Sequence, residues 1–215
     1  WLVSFLITRP EHEDTVFYLS AWSKELIEQA KQNGLTTLDC HRERAVAPVV
    51  CSMLENKHPT LVMFNGHGNT HQITGHNNQV LIEKGKNERL LKAKIVYARS
   101  CSTSAELAES CIKHGTRAYI GYHEEFVFWQ GNATSLRPLE DESAKPCLEA
   151  SNQVVKSLLG GSTAKEAYAH SQRVSDEWLE KLQRSDAPPD AVHILPLVFW
   201  NKYVQTVHGD KNAHI

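Results

Sequence analysis

Two hydrophobic stretches decide the fold, and each ends at a reactive side chain: Val62-Met63-Phe64-Asn65-Gly66-His67-Gly68-Asn69 and Ile95-Val96-Tyr97-Ala98-Arg99-Ser100-Cys101-Ser102-Thr103-Ser104. A short apolar run bounded by turn residues is typical of a buried parallel strand. Open α/β sheets present functional groups at the carboxyl ends of such strands. We therefore predict that His67 and Cys101 face each other at one edge of a sheet, as a thiol nucleophile and its base require.

The rest of the chain alternates short apolar runs with helical patterns. We predict strands at 2–7, 35–38, 60–64, 95–98, 118–121 and 194–200, a small hairpin at 79–83 and a long loop at 123–141. Helices are predicted from Asp14 or Thr15 to Asn33-Gly34, and at 45–54, 104–114, 145–159 and 162–182. This alternation favours an α/β fold with a doubly wound, mostly parallel central sheet flanked by helices.

Composition is that of an ordinary globular domain. The 215 residues are 41% hydrophobic and 22% charged, with a formal net charge of −2. A charge so close to zero gives no general case for binding nucleic acid or a membrane surface. No apolar run approaches the roughly 18 residues that a bilayer-spanning helix needs. We therefore expect neither a nucleic-acid nor a membrane partner.

Cysteine usage indicates a reducing compartment. The five cysteines are odd in number and lack C-x-x-C spacing, so we expect reduced thiols in a cytoplasmic setting rather than a disulfide framework. The chain begins at Trp1 without a methionine. We interpret residues 1–215 as a single domain, either trimmed or cut from a longer protein.

The surroundings of Cys101 and His67 predict nucleophilic catalysis. Thr103 and Glu106 match the capping box T-x-x-E, which predicts a helix start within two or three residues of Cys101. A helix N-terminus and a neighbouring imidazole both lower a thiol pKa. Gly68 allows close approach of backbone to a substrate, and the N–H groups of Gly68 and Cys101 are candidates for an oxyanion hole.

Two other interpretations compete with catalysis. A lone cysteine or a histidine in a turn is more often structural, but the joint pattern at two strand ends favours catalysis. His67, His71 and His76 could form a zinc site with Cys101, yet their spacing fits a single helical face poorly and the intervening glycines disfavour a helix. We therefore expect no metal and no cofactor.

The two motifs resemble those of the caspase-like cysteine peptidases of clan CD. In that family one hydrophobic strand ends in His-Gly and a later one ends in the catalytic Cys. Residues 64–68 are similar to the form found in CHAT-domain proteases, and residues 98–103 are similar to the cysteine motif. The resemblance extends more weakly to the strand at 115–121 and to a closing strand at 197–210. It implies a caspase-like three-layer sandwich and a His67–Cys101 catalytic dyad.

Arg99 departs from the family pattern, since CHAT proteins usually have a small residue there. Residues 99 and 101 of a strand point to the same side, so Arg99 should lie near the nucleophile. In metacaspase-like relatives an Asp two residues before the Cys contacts a basic P1 side chain. An Arg at this position suggests a substrate with an acidic P1 residue, whose carboxylate would accept two hydrogen bonds from the guanidinium. Alternatively, Arg99 is neutralised internally by Glu124 or Glu125, which would then also be candidates for the pocket wall.

The sequence thus predicts a cysteine endopeptidase that cleaves selected proteins or peptides through His67 and Cys101. By analogy with CHAT-type relatives, a partner or sensor domain would control it. Two alternatives stay open. One is a catalytically silent caspase-like interaction module, and the other is a thiol hydrolase acting on small amides or esters. The long polar loops after His67 and after residue 121 favour an extended peptide cleft.

Overall fold

A six-stranded, mostly parallel sheet forms the centre of the protein. The computed structural model describes residues 3–131 and 137–215. The strands are β1 (Ser4–Arg9), β2 (Thr36–His41), β3 (Leu61–Asn65), β6 (Ile95–Arg99), β7 (Ala118–Tyr122) and β8 (Gln205–Gly209), and a separate hairpin consists of β4 (Gln72–Thr74) and β5 (Val80–Glu83). The order in the sheet is β2-β1-β3-β6-β7-β8, and β8 alone among these runs antiparallel to its neighbour. The predicted α/β sandwich is confirmed.

Helices cover both faces of this sheet. They are α1 (Asp14–Trp22), α2 (Lys24–Gln32), α3 (Ala47–Asn56), α4 (Leu107–Lys113), α5 (Lys145–Leu159), α6 (Ala164–Leu182) and α7 (Ala191–Val204). One core lies between the sheet and helices α2, α5 and α6, and the other lies between the sheet, helices α3 and α4 and the hairpin. Every residue of β1, β3, β6 and β7 is buried, as expected for parallel strands with both faces covered.

The first predicted helix is in fact two helices. The apolar pattern at 14–33 suggested one continuous helix, but Ser23 separates α1 from α2. Its hydroxyl donates to the carbonyl of Leu19 (2.7 Å) and accepts hydrogen bonds from Asn65 and Arg99 (3.0 and 2.8 Å). The break therefore places a buried hydroxyl beneath the ends of β3 and β6.

The strand predicted at 194–200 is wrong, because this segment lies within α7. An apolar run of this length cannot be assigned to strand or helix by periodicity alone. The buried residues of α7 recur every three or four positions: Ala191, Ile194, Val198, Asn201 and Val204. Pro196 lies inside the helix, on its exposed side. The closing strand β8 begins only at Gln205.

Other boundaries agree with the predictions more closely. Helix α5 has the predicted limits, and Thr163 and Glu166 form a reciprocal capping box at the start of α6. Pro48 lies in the first turn of α3, where a proline is tolerated. Trp1, Leu2 and residues 132–136 of the predicted loop lie outside the described residues. In the part of the chain that is described, no helix is both long and apolar enough to cross a membrane.

Candidate active site

Strand register brings His67 and Cys101 to the same place. Asn65 and Arg99 are paired residues at the ends of the adjacent parallel strands β3 and β6. His67 and Cys101 each follow two positions later, so both side chains emerge at the carboxyl edge of the sheet. Both line one small cavity, which is also walled by helix α1 and by Phe126. The structure thus places both residues at the same edge and beside the same cavity.

Glycine is required where the chain turns after β3. Gly66 has a φ of 154°, and a Cβ built there would lie 2.0 Å from the carbonyl oxygen of Thr74. A Cβ on Gly68 would lie 2.9 Å from the carbonyl oxygen of Cys101. The two glycines therefore let His67 sit between the hairpin and the Cys101 turn.

Glu13 is a third polar residue of the site, and sequence reasoning missed it. The carboxylate oxygen Oε1 of Glu13 lies 2.6 Å from Nε2 of His67. Glu13 is the N-cap residue of α1 and follows the carboxyl end of β1, the strand beside β3. The signal in the sequence that could have identified Glu13 is its position just beyond the end of a neighbouring strand. Its contact with Nε2 orients the imidazole and does not involve Nδ1.

We expect Glu13→Gln to lower the rate of peptide cleavage by roughly 10- to 100-fold while leaving the fold intact. The amide keeps the shape of the side chain but loses the charge that stabilises the imidazolium formed during reaction. The effect should appear in kcat rather than in KM, with an unchanged melting temperature. Glu28→Gln is the matched control, because Glu28 is exposed and forms a surface pair with Lys31. Equal activities of the two variants would contradict a role for Glu13.

The environment of the Cys101 thiol differs from the predicted one. Helix α4 begins at Leu107, not within three residues of the sulfur, and its N-cap Glu106 makes no side-chain capping bond. Instead Glu106 pairs with Lys84 (2.6 Å). The chain between β6 and α4 makes a turn in which Ser102 has a φ of 58°. The Cys101 Sγ lies 3.9 Å from the carbonyl oxygen of Phe126 and can donate to it.

Burial raises the pKa of the Cys101 thiol, contrary to the predicted lowering. Desolvation disfavours the thiolate, and the negative charge of Glu125 acts in the same direction. Since the helix start is distant, its dipole does not offset these effects. The resting Cys101 side chain is therefore a neutral thiol, which would need a base to become a nucleophile.

Alkylation of Cys101 should consequently be slow at neutral pH and accelerate as pH rises through the raised thiol pKa. The measurement is the rate of iodoacetamide labelling of the Cys101 peptide by mass spectrometry, from about pH 6 to about pH 10. Cys51 serves as an internal reference, since it is also half-buried and burial raises its pKa as well. A Cys101 labelling rate that is already maximal at neutral pH would contradict the buried, protonated thiol.

The two predicted oxyanion donors are the backbone N–H groups of Gly68 and Cys101. Thr74 N donates to His67 O (2.9 Å) and Asn69 N donates to Gln72 O (3.0 Å). These two bonds lie on either side of the antiparallel bridge between Gly68 and Ile73. The N–H of Gly68 is therefore not hydrogen-bonded to the segment that contains Ile73. Among the described residues, neither Gly68 N nor Cys101 N donates to a backbone oxygen. The Gly68 N–H is therefore not engaged with the backbone, whereas the Cys101 N–H hydrogen-bonds its own sulfur, which lowers the thiol pKa against the larger effect of burial.

Arg99 is buried beneath the site and fully bonded within the protein. Its side chain is 0% exposed. The guanidinium donates to Asn65 Oδ1 (2.9 Å), Asn152 Oδ1 (2.9 Å), Ser151 Oγ (3.4 Å), Leu19 O (2.9 Å) and Ser23 Oγ (2.8 Å). These five bonds match its five N–H donors. No N–H is left for a substrate carboxylate, so the geometry does not support the contact expected with an acidic P1 residue.

Glu124 and Glu125 are not the partners of Arg99 that the sequence suggested. Both side chains are exposed. Glu124 accepts a hydrogen bond from Ser102 N (2.9 Å) through its backbone oxygen, and Glu125 accepts one from Trp200 Nε1 (2.9 Å) in the same way. Their structural role is therefore to anchor the segment after β7 against the Cys101 turn and α7.

The other histidines of the polar segment have separate surroundings. His71 contacts Thr70 and pairs with Glu106 (3.3 Å between Nε2 and Oε2). His76 packs edge-on against His12, with 5.4 Å between ring centroids. Across residues 3–131 and 137–215, no three His, Cys, Asp or Glu side chains are grouped so that they could hold a metal ion.

Comparisons with known proteins identify the fold. No protein-family model matches the chain, and no curated protein matches it either. A solved complex of the pro- and mature domains of Porphyromonas gingivalis RgpB is similar over 100% of this chain and 49% of that one, with 12% identity and a TM-score of 0.64. A crystal structure of the Arg-specific cysteine proteinase gingipain R (RgpB) is similar over 99% and 47%, with 12% identity and a TM-score of 0.62.

The chain therefore spans about half the length of these neighbours. At this identity the likeness establishes the fold, which is the caspase-like α/β fold of the gingipains. The activity of this protein has to be argued from its own residues.

Proposed function

We propose that this protein is a cysteine endopeptidase in which Cys101 is the nucleophile and His67 the general acid–base. The observation that carries the proposal is the strand register, in which Asn65 and Arg99 pair and His67 and Cys101 follow two residues later beside one cavity. A fold shared with cysteine proteinases supports it. The contact between Glu13 and His67 supplies the orientation that a catalytic histidine needs.

The proposed reaction is acyl transfer through a thioester. His67 takes the proton of the Cys101 thiol as the sulfur attacks the scissile carbonyl carbon. The N–H groups of Gly68 and Cys101 stabilise the oxyanion of the tetrahedral intermediate. The carbon–nitrogen bond then breaks, and His67 gives the proton to the leaving amine. Water, deprotonated by His67, next attacks the thioester, which releases the carboxylic acid and restores the thiol.

The raised thiol pKa fits this scheme if deprotonation is coupled to attack. A neutral resting thiol reacts slowly with other electrophiles. It reacts with the substrate once the scissile carbonyl lies between the sulfur and the oxyanion donors. Glu13 is important in this step, because it stabilises the imidazolium that carries the thiol proton.

The proposal also includes the protein's relatives, its regulation and its location. Kinship with CHAT-domain proteases rests on the motifs at residues 64–68 and 98–103. Control by a partner or regulatory domain is supported by a structural neighbour that is itself a complex of pro- and mature domains. A cytoplasmic, reducing location is supported by the five cysteines, all of which are free thiols.

The burial of the Cys101 thiol also favours the alternative of a catalytically silent interaction module. A module of that kind would keep its binding partners but show no Cys101-dependent cleavage. The small cavity leaves room for the other alternative, a thiol hydrolase acting on small amides or esters. Such an enzyme would hydrolyse single-residue esters as fast as longer peptides.

A peptide library randomised at each position tests the three functions. It is incubated with the wild-type protein, with Cys101→Ala and, in parallel, with single-residue esters. The proposal predicts cleavage of peptides that disappears in Cys101→Ala and a rate that increases with peptide length. Length-independent ester hydrolysis would indicate the small-molecule hydrolase, and cleavage that persists in Cys101→Ala would exclude the proposed nucleophile.

A further inference from the structure

The cavity shared by His67 and Cys101 is small. Its volume is about 20 Å³, roughly the space that one water molecule needs. The P1 side chain is bonded to the Cα next to the carbonyl carbon that Cys101 attacks, so it must lie close to the sulfur. Among the described residues, two cavities border His67: the other, of about 270 Å³, is lined by Gly68 and the hairpin side, whereas this small one is lined by Cys101 itself. Its size therefore limits the residue whose carbonyl is attacked.

The walls of the cavity are largely apolar and tightly packed. Val16 and Leu19 of α1 are buried at 0% and 3% exposure and form one side. Phe126 forms another side, held by aromatic contact with Tyr122 (4.9 Å between ring centroids). Among the described residues that line the cavity there is no Asp or Glu. Nothing in the wall is therefore suited to bind a lysine or arginine side chain.

Arg99 occupies the region beneath the cavity with its own side chain. A cationic P1 side chain would meet this buried positive charge, whose nearest acceptors are neutral: Asn65, Asn152, Ser151, Ser23 and the carbonyl of Leu19. An acidic P1 side chain would find no free N–H, since all five are already used. A basic side chain would thus be buried without a carboxylate partner and an acidic one without a guanidinium N–H, and burial of a charge on these terms is costly.

We propose that this cavity is the primary specificity site and that it takes a small, uncharged P1 side chain, namely that of glycine, alanine or serine. The inference rests on the proposed function of the same site and specifies its substrate class. Arg99, which lines this cavity, then determines specificity by filling the space beneath the P1 side chain.

The test uses peptidyl acyloxymethyl ketones that share their other residues and differ only at P1: Gly, Ala, Ser, Val, Leu, Asp or Arg. In each reaction the Cys101 sulfur displaces the carboxylate and forms a thioether, which mass spectrometry locates. We expect the fastest modification of Cys101 with the Gly, Ala and Ser probes. Fastest modification by the Val, Leu, Asp or Arg probe would overturn the inference.

A variant with an enlarged cavity and a matched control variant provide a second test. Val16→Ala enlarges the cavity and should raise the rate for the Val and Leu probes relative to the Ala probe by about tenfold, since one or two methyl groups in a pocket discriminate by that order. Val50→Ala removes the same two methyl groups from a buried residue of α3, away from the cavity, and should leave the ratio unchanged. An unchanged ratio in Val16→Ala would also overturn the inference.

Failure of the proposed function gives a different result. If none of the probes modifies Cys101 while iodoacetamide at high pH does, the thiol is accessible but the site does not bind peptides. That outcome removes the endopeptidase proposal and the specificity inference together. Modification of Cys101 that favours another P1 residue removes only the inference.

Discussion

Replacement of Cys101 by alanine is expected to abolish peptide cleavage, with a loss of at least about 10³-fold in kcat. The sulfur is the atom that forms the thioester, and no other thiol lines the cavity among the described residues. His67→Ala should reduce the rate by a similar factor, because a neutral thiol of raised pKa needs a base. Residues that act as a unit lose activity non-additively, so the double variant should be scarcely worse than either single one.

The matched control for this experiment is Cys51→Ala. Cys51 is likewise a half-buried free thiol, but it lies on α3 and not at the cavity. Its replacement should leave the cleavage rate unchanged. Measurement of kcat and KM is combined with melting curves, which should show that the Cys101 and His67 variants remain folded. Multiplicative losses in the double variant would mean that the two residues act independently, which contradicts a dyad.

Arg99→Ala is expected to destabilise the protein by about 3–5 kcal/mol, a larger effect on stability than the active-site substitutions should have. The variant loses five hydrogen bonds and leaves acceptors such as Asn65 Oδ1 and Asn152 Oδ1 buried without a donor. It also leaves a cavity beneath the active site. For a chain of this length the melting temperature should fall by roughly 10 °C.

Arg137→Ala is the control for the loss of an arginine. The Arg137 side chain is 69% exposed and pairs with Glu140 three residues away. Its replacement should change stability by no more than about 0.5 kcal/mol. A melting temperature of Arg99→Ala within a degree or two of this control would show that the buried network contributes little, in conflict with the structure.

The main outline of the fold was predictable because it depends on local patterns. The strands at 60–64, 95–98 and 118–121 are continuous apolar runs that end at turn residues, and such runs become buried parallel strands. The juxtaposition of His67 and Cys101 follows from two adjacent strands that end in register. Both predictions require only the alternation of strands and helices along the sequence and the parallel direction of the strands.

The missed features depend on tertiary contacts. The T-x-x-E pattern at Thr103 and Glu106 predicted a helix start, but Glu106 is held by Lys84 of the hairpin region. The sequence left open whether Arg99 contacts a substrate or is neutralised by Glu124 or Glu125. It could not identify the actual acceptors, because those on α1, α5 and Ser23 are distant in sequence. Glu13 was overlooked for the same reason, since its partner His67 is reached only when β1 and β3 lie side by side.

The central claim is that Cys101 forms a covalent acyl intermediate with help from His67. Its most direct test is an acid quench of the protein during turnover of a peptide with alanine at P1, followed by mass spectrometry of the cysteine-containing fragments. We predict that the acyl group of the substrate is found on Cys101, is released by hydroxylamine as a thioester should be, and is absent in Cys101→Ala. Turnover with unmodified Cys101, or an acyl group on another residue, would contradict this mechanism.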